Sequence, residues 1–126
     1  FVSNNEKNWT LFNAKMGEDK INPAVVELYH TLWDSQKYDL IIVTGRSEEF
    51  REVTEQWLVW NHIPFHRLIM RGAKDNREDS MVKQDILNAL KAEGKDIMFA
   101  VDDRQQVVDM WRRNGITCLQ CDEGQF

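Results

Sequence analysis

Apolar residues fall along this chain in blocks whose lengths and spacings predict alternating helices and strands. Asn22-Pro23 reads as a helix start, with asparagine capping free amides and proline suited to the first helical position. Val25, Tyr29, Leu32 and Trp33 then share one helical face. Tyr38 to Thr44 carries Leu40-Ile41-Ile42-Val43 at its centre, an unbroken run that marks a strand buried on both faces. Ser47 is placed to cap a second helix, in which Phe50, Val53, Trp57 and Trp60 recur at helical spacing before Pro64. A short strand is expected over Arg67 to Met70, followed by a polar stretch from Arg71 to Asp79. A third helix carries Val82, Ile86, Leu87 and Leu90 and closes near Gly94. Ile97 to Val101 reads as the next strand. A fourth helix, Gln105 to Asn114, turns Val107, Val108 and Trp111 inward and stops at Gly115. The last strand is Ile116 to Cys121.

This alternation predicts an α/β domain with a doubly wound parallel sheet covered on both faces. No repeat or Pro/Gly-rich linker divides the sequence, so one domain is expected over residues 1–126. Ligands of such sheets bind beyond the carboxyl ends of the strands. That rule selects Thr44-Gly45-Arg46, the stretch from Arg71, and Asp102-Asp103.

Composition changes the picture only by exclusion. With 42% hydrophobic and 29% charged residues the chain is ordinary for a globular protein, and no apolar run approaches the length of a membrane span. The net charge of -5 gives no global basic field for nucleic acid, so such a substrate needs a local surface. Arg67, Arg71, Lys74 and Arg77 are candidates for one. Cys118 and Cys121 stand three apart on an expected strand, facing opposite ways, with no second Cys or His pair to complete a zinc site. They read as ordinary free thiols, in keeping with a cytoplasmic location. The chain opens on Phe1 rather than methionine. A processed, engineered or truncated chain is the expectation that follows.

Three groups of residues could carry chemistry. Asp102 and Asp103 follow Phe99-Ala100-Val101, and adjacent carboxylates at a strand mouth repel unless a cation relieves them. Carboxylates with water suit magnesium; the plainer alternative is a strand end followed by a helix cap. Thr44 ends its strand ahead of Gly45 and Arg46, where a hydroxyl and nearby amides can hold a phosphate oxygen. A strand-to-helix turn explains the same residues. Lys83 lies near a helix start against the dipole, a local conflict expected where function outranks propensity, although a solvated surface lysine would look the same.

Val43-Thr44-Gly45-Arg46, Val82-Lys83 and Ala100-Val101-Asp102-Asp103-Arg104 resemble the second, third and fourth motifs of the haloacid-dehalogenase superfamily. The run from Asp102 through Gly115 is similar to the 3'-phosphatase domain of phage polynucleotide kinase-phosphatase, as are Ile21-Asn22-Pro23, Val25-Val26-Glu27-Leu28 and Glu123-Gly124-Gln125-Phe126. The resemblance implies a magnesium-dependent phosphomonoesterase acting on a polynucleotide 3'-phosphate through an aspartyl-phosphate. Thr44, Gly45, Arg46 and Lys83 would bind the phosphate. Asp103 would bind magnesium, with Asp102 supporting that site.

The departure is at the front. The family's nucleophile is the first aspartate of Asp-x-Asp-Gly-Thr at the end of the first strand, and no such motif occurs here. Phe1 to Gly17 resembles the segment that follows that motif, with Trp9 and Phe12 as anchors. The expectation is therefore a sheet missing its first, central strand and an inactive chain, with an oligomer through the gap as one outcome. No Gly-x-x-x-x-Gly-Lys-Ser/Thr loop occurs, so kinase activity is not expected. The alternatives are a phosphatase of nucleotides or other small phosphate esters, and a non-catalytic phosphate- or metal-binding module.

Overall fold

A computed structural model describes residues 8–13 and 22–124. Strands and helices alternate as β1 (Asn8–Asn13), α1 (Pro23–Ser35), β2 (Tyr38–Ser47), a 3-10 turn (Glu48–Phe50), α2 (Arg51–Trp60), β3 (Arg67–Arg71), α3 (Asp79–Ala92), β4 (Ile97–Asp102), α4 (Gln105–Arg113) and β5 (Cys118–Gln120). The five strands form one parallel sheet in the order β3-β2-β1-β4-β5. The expected doubly wound α/β architecture is present.

Two cores explain why both sheet faces are apolar. Leu11, Ile41, Val43 and Ala100 pack with Leu87 and Leu90 of α3 and with Val107, Val108 and Trp111 of α4. Phe12, Leu40, Ile42 and Val101 pack on the other face with Tyr29 of α1 and Leu58 of α2. Neighbouring residues of one strand thus serve opposite cores, as the two-residue period of a strand demands. Asn22 caps α1 as expected, its side chain accepting from the amides of Ala24 and Val25.

The expectation of a sheet without its first central strand is corrected. Asn8–Asn13 fills the centre, pairing residue by residue with β2 from Asn8↔Tyr38 to Asn13↔Val43 and with β4 from Trp9↔Ile97 to Phe12↔Val101. Trp9-Thr10-Leu11-Phe12 is a run of good strand formers, and Thr10, Leu11 and Phe12 are buried between the neighbouring strands and both helical layers. The gap invoked for oligomerisation is therefore closed by this chain itself. Ile21, Gln125, Phe126 and residues 1–7 and 14–17 of the opening segment lie outside the described residues.

The second helix differs too. Ser47 caps the 3-10 turn, accepting from the amide of Glu49, and α2 starts only at Arg51. Its buried residues are Thr54 and Leu58, whereas Val53 and Trp60 of the expected inward face are exposed. Trp57 packs against the second core, and Phe50 lies out in solvent beside the end of β2.

Candidate active site

Four chain segments meet at the carboxyl end of the sheet, around the crossover from the β1–β2–β3 half to the β4–β5 half. Asn13 closes β1, Thr44 to Ser47 close β2, and Asp102 closes β4. Lys83 reaches in from the second turn of α3. That lysine is 1% exposed, which rules out the solvated surface reading. Its Nζ donates to Asn13 Oδ1 at 2.7 Å and pairs with Asp79 Oδ2 at 3.1 Å and Asp102 Oδ2 at 3.5 Å.

Asp102 is fixed on both oxygens. Oδ1 accepts from the backbone N–H groups of Asp103 (2.8 Å) and Arg104 (3.3 Å), and Oδ2 accepts from Trp111 Nε1 (3.4 Å) as well as facing Lys83. Burial pushes the Asp102 carboxyl above the usual carboxylate range, with the Lys83 charge as the strongest opposing influence. Asp103 stands beside it, and Asn13 Nδ2 donates to Asp103 Oδ1 at 3.5 Å. Asn13 therefore bridges the lysine and the acidic pair, accepting from one and donating to the other.

Thr44 is buried, and its hydroxyl accepts from the Arg46 amide at 3.1 Å. This bond spans the irregularity between Thr44 and Ser47, where β2 shifts register against β3, and Gly45 there faces Asp79 of α3. A Cβ built on Gly45 would come within 2.5 Å of Asp79 Oδ1, so only glycine fits that approach.

Asp79 and Arg71 join the two halves of the site, and neither was assigned this place from sequence. Asp79 is buried and faces Lys83, Arg71 Nη2 and Arg104 Nη1, the last two at 3.5 Å. Arg71 donates to the Gly45 carbonyl at 2.8 Å and to the carbonyls of Asp75 and Arg77. It thus braces the 72–78 loop against β2 rather than offering itself as part of a basic surface. The signal for Asp79 was its position four residues before Lys83, one helical turn away. Asn13 carried no comparable signal.

The sequence-predicted residues are thus gathered at one edge. Lys83, Asp102 and Asp103 meet directly around Asn13, while Thr44, Gly45 and Arg46 connect to them through Arg71 and Asp79. The two cysteines are free, Cys118 buried and Cys121 exposed. Desolvation and the Asp103 and Asp102 charges push the Cys121 thiol up to about 11. Among the described residues, no group of three or more His, Cys, Asp or Glu is arranged to hold a metal.

The model of the polynucleotide kinase PNKP phosphatase domain matches residues 3–126. The chain belongs to that family. It is a haloacid-dehalogenase-like phosphatase domain by descent. A solved Pnkp1/Rnl/Hen1 RNA repair complex contains a chain 29% identical over 95% of this one, with a TM-score of 0.83. A second Pnkp1/Rnl/Hen1 complex gives 27% identity over 96%, with a TM-score of 0.84. This phosphatase domain spans 43% and 48% of those two chains, less than half of each.

Proposed function

We propose that this domain is the phosphate- and metal-holding part of a polynucleotide 3'-phosphatase, able to bind a 3'-phosphorylated end but not to turn it over by itself. The observation that carries the reading is the buried Lys83, bonded at once to the end of β1 and to the end of β4. Asp79 and Asp102 already offset the cost of burying this cation, and they fix its ammonium group beside both strand ends, where a phosphate oxygen can take a charge-assisted hydrogen bond from it. The Thr44 hydroxyl, which accepts from the Arg46 amide and keeps its own proton to donate, would form the other half of the phosphate seat.

Magnesium fits the acidic pair in part. Such an ion needs only one or two carboxylates besides water and substrate phosphate, and Asp103 would supply one. Asp102, tied to two backbone amides, would support that ligand from behind. When bound, the ion would neutralise charge on the phosphoryl oxygens. Lys83 and the Thr44 hydroxyl would orient the phosphate against it.

Among the described residues, no carboxylate stands where the nucleophile is expected. The resemblance places an aspartate at the end of the first strand, and Asn13 holds that station. A carboxamide has no anionic oxygen with which to attack phosphorus. Positioning and charge neutralisation remain, and these support binding.

The test is magnesium-dependent phosphate release from a 3'-phosphorylated oligonucleotide. The chain alone should be silent, and a version in which Asn8–Asn13 is replaced by a strand ending in Asp-x-Asp-Gly-Thr should be active until Asp103→Asn is added. Turnover by the chain alone would overturn the assignment of its chemistry. Release from a free 3'-nucleotide but never from the oligonucleotide would move the substrate to small phosphate esters.

A further inference from the structure

We propose that Phe50, with the Arg46 guanidinium on it, is a stacking platform for the terminal nucleobase of the phosphorylated strand. This rests on the polynucleotide reading above and adds how the base would be held.

Arg46 links the two subsites. Its amide is bound by the Thr44 hydroxyl in the phosphate seat, and its guanidinium lies 5.1 Å from the centre of the Phe50 ring. That cation–π contact fixes the ring beside the end of β2. Phe50 is nevertheless 47% exposed, so much of the ring faces solvent. A large aromatic left open at the rim of a phosphate site, rather than folded into the second core, suits a flat apolar ligand. Every nucleobase has such a face, and aromatic stacking tolerates any sequence.

Charge sorts the two ends of the ligand. Glu48 and Glu49 flank Phe50, with Glu48 chelated by Arg51 and Glu49 hydrogen-bonded to Ser47. Arg51 and Ser47 already occupy these carboxylates, so the turn contributes no cation of its own to a phosphate and leaves the Phe50 ring to an uncharged base. Lys83 lies on the other side of Thr44 and Gly45, where the phosphate belongs. Trp60 is more exposed, at 83%, but it stands at the far end of α2, about 15 Å along the helix from Phe50. One nucleotide cannot span from the seat to that ring.

The experiment is a fluorescence-anisotropy titration of the full chain, with magnesium, against three labelled tetranucleotides. One ends in a 3'-phosphorylated adenosine, one in a 3'-phosphorylated abasic residue, and one in adenosine with a free 3'-hydroxyl. The unmodified chain should prefer the base-bearing 3'-phosphate to the abasic one by about 5- to 150-fold, the range of one stacked base. Phe50→Leu should bring that ratio close to one, and Phe50→Trp should keep it. Retention of the ratio in Phe50→Leu would overturn the platform, as would an unmodified chain that binds both phosphorylated ligands equally. If neither phosphorylated ligand is preferred to the 3'-hydroxyl one, the polynucleotide 3'-phosphate reading falls and the platform falls with it.

Discussion

Replacing Lys83 by methionine tests whether the buried cation holds the site together. Methionine keeps most of the side-chain length, so the change removes charge and hydrogen bonds more than volume. Lys83 is 1% exposed and touches Asn13, Asp79 and Asp102 at 2.7, 3.1 and 3.5 Å. Asp79 keeps Arg71 and Arg104 nearby, and Asp102 keeps its two amides and Trp111. Removing one partner of a buried pair costs about 3–5 kcal/mol, and these remaining donors place the expected loss near the low end of that range. The loss depends on pH, and its sign follows from Asp102. Its carboxyl already lies above the unfolded value because burial outweighs the lysine, and without Lys83 it rises further. A carboxyl raised in the folded state destabilises that state when charged. The penalty is full above the folded value and fades as pH falls through it, because the native protein takes up the proton first. Urea unfolding at pH 8 and pH 5 should therefore show a larger difference between Lys83→Met and the unmodified protein at pH 8. An equal loss at both pH values would show that packing, not charge, is what the lysine contributes. A loss within about 0.5 kcal/mol, as for ordinary surface sites, would refute the buried network altogether.

Three further outcomes follow from the same geometry. Gly45→Ala should destabilise by about 1–3 kcal/mol as an overpacked contact, because its Cβ meets Asp79 Oδ1 and Asp79 cannot move without disturbing Arg71 and Lys83; an unchanged thermal midpoint would contradict this. Cys121, its thiol raised from 9.0 to about 11, should react with iodoacetamide at pH 8 about a hundredfold more slowly than an unperturbed thiol. Asp103→Asn removes a charge that raises this value, so it should speed the reaction; mass spectrometry reads both rates. Asn13→Asp would set a carboxylate beside Asp103 and should tighten magnesium binding, on the order of tenfold by calorimetry, with an unchanged affinity placing the ion elsewhere.

The parts of the fold legible in the sequence are those where one local signal decides the outcome. Leu40 to Val43 could only be a strand buried on both faces, and Val107, Val108 and Trp111 on α4 pack where their spacing placed them. Lys83 was legible as an oddity near a helix start, and the structure resolves the oddity by burying it against two carboxylates. Helix α2 was misread for a physical reason. The helix begins only at Arg51, after the 3-10 turn at Glu48–Phe50, so Phe50 is not on its face, and of the expected stripe only Trp57 packs on the core. The stripe that meets the sheet becomes Thr54 and Leu58, and the more apolar stripe of Val53 and Trp60 faces out. Asn13 was illegible because its importance depends on where β1 inserts in the sheet. Asp79 and Arg71 likewise acquire their partners only when β2, β3 and α3 converge.

The charge pattern around Asn13 bears on why the chain should bind without reacting. Lys83, Arg71 and Arg104 face Asp79, and Lys83 also faces Asp102, so the buried cations and carboxylates already answer one another. An asparagine between Lys83 and Asp103 suits that balance, since its oxygen accepts from the cation and its nitrogen donates to the anion. An aspartate at the same place would serve the lysine equally but would oppose Asp103, and a divalent ion would then be the natural means of relieving the repulsion. The identity of residue 13 thus couples two properties, nucleophile and metal affinity, that otherwise look independent. A variant that gains tight magnesium binding through Asn13→Asp yet still releases no phosphate would separate them, and would show that an acid–base partner is the element still required for turnover.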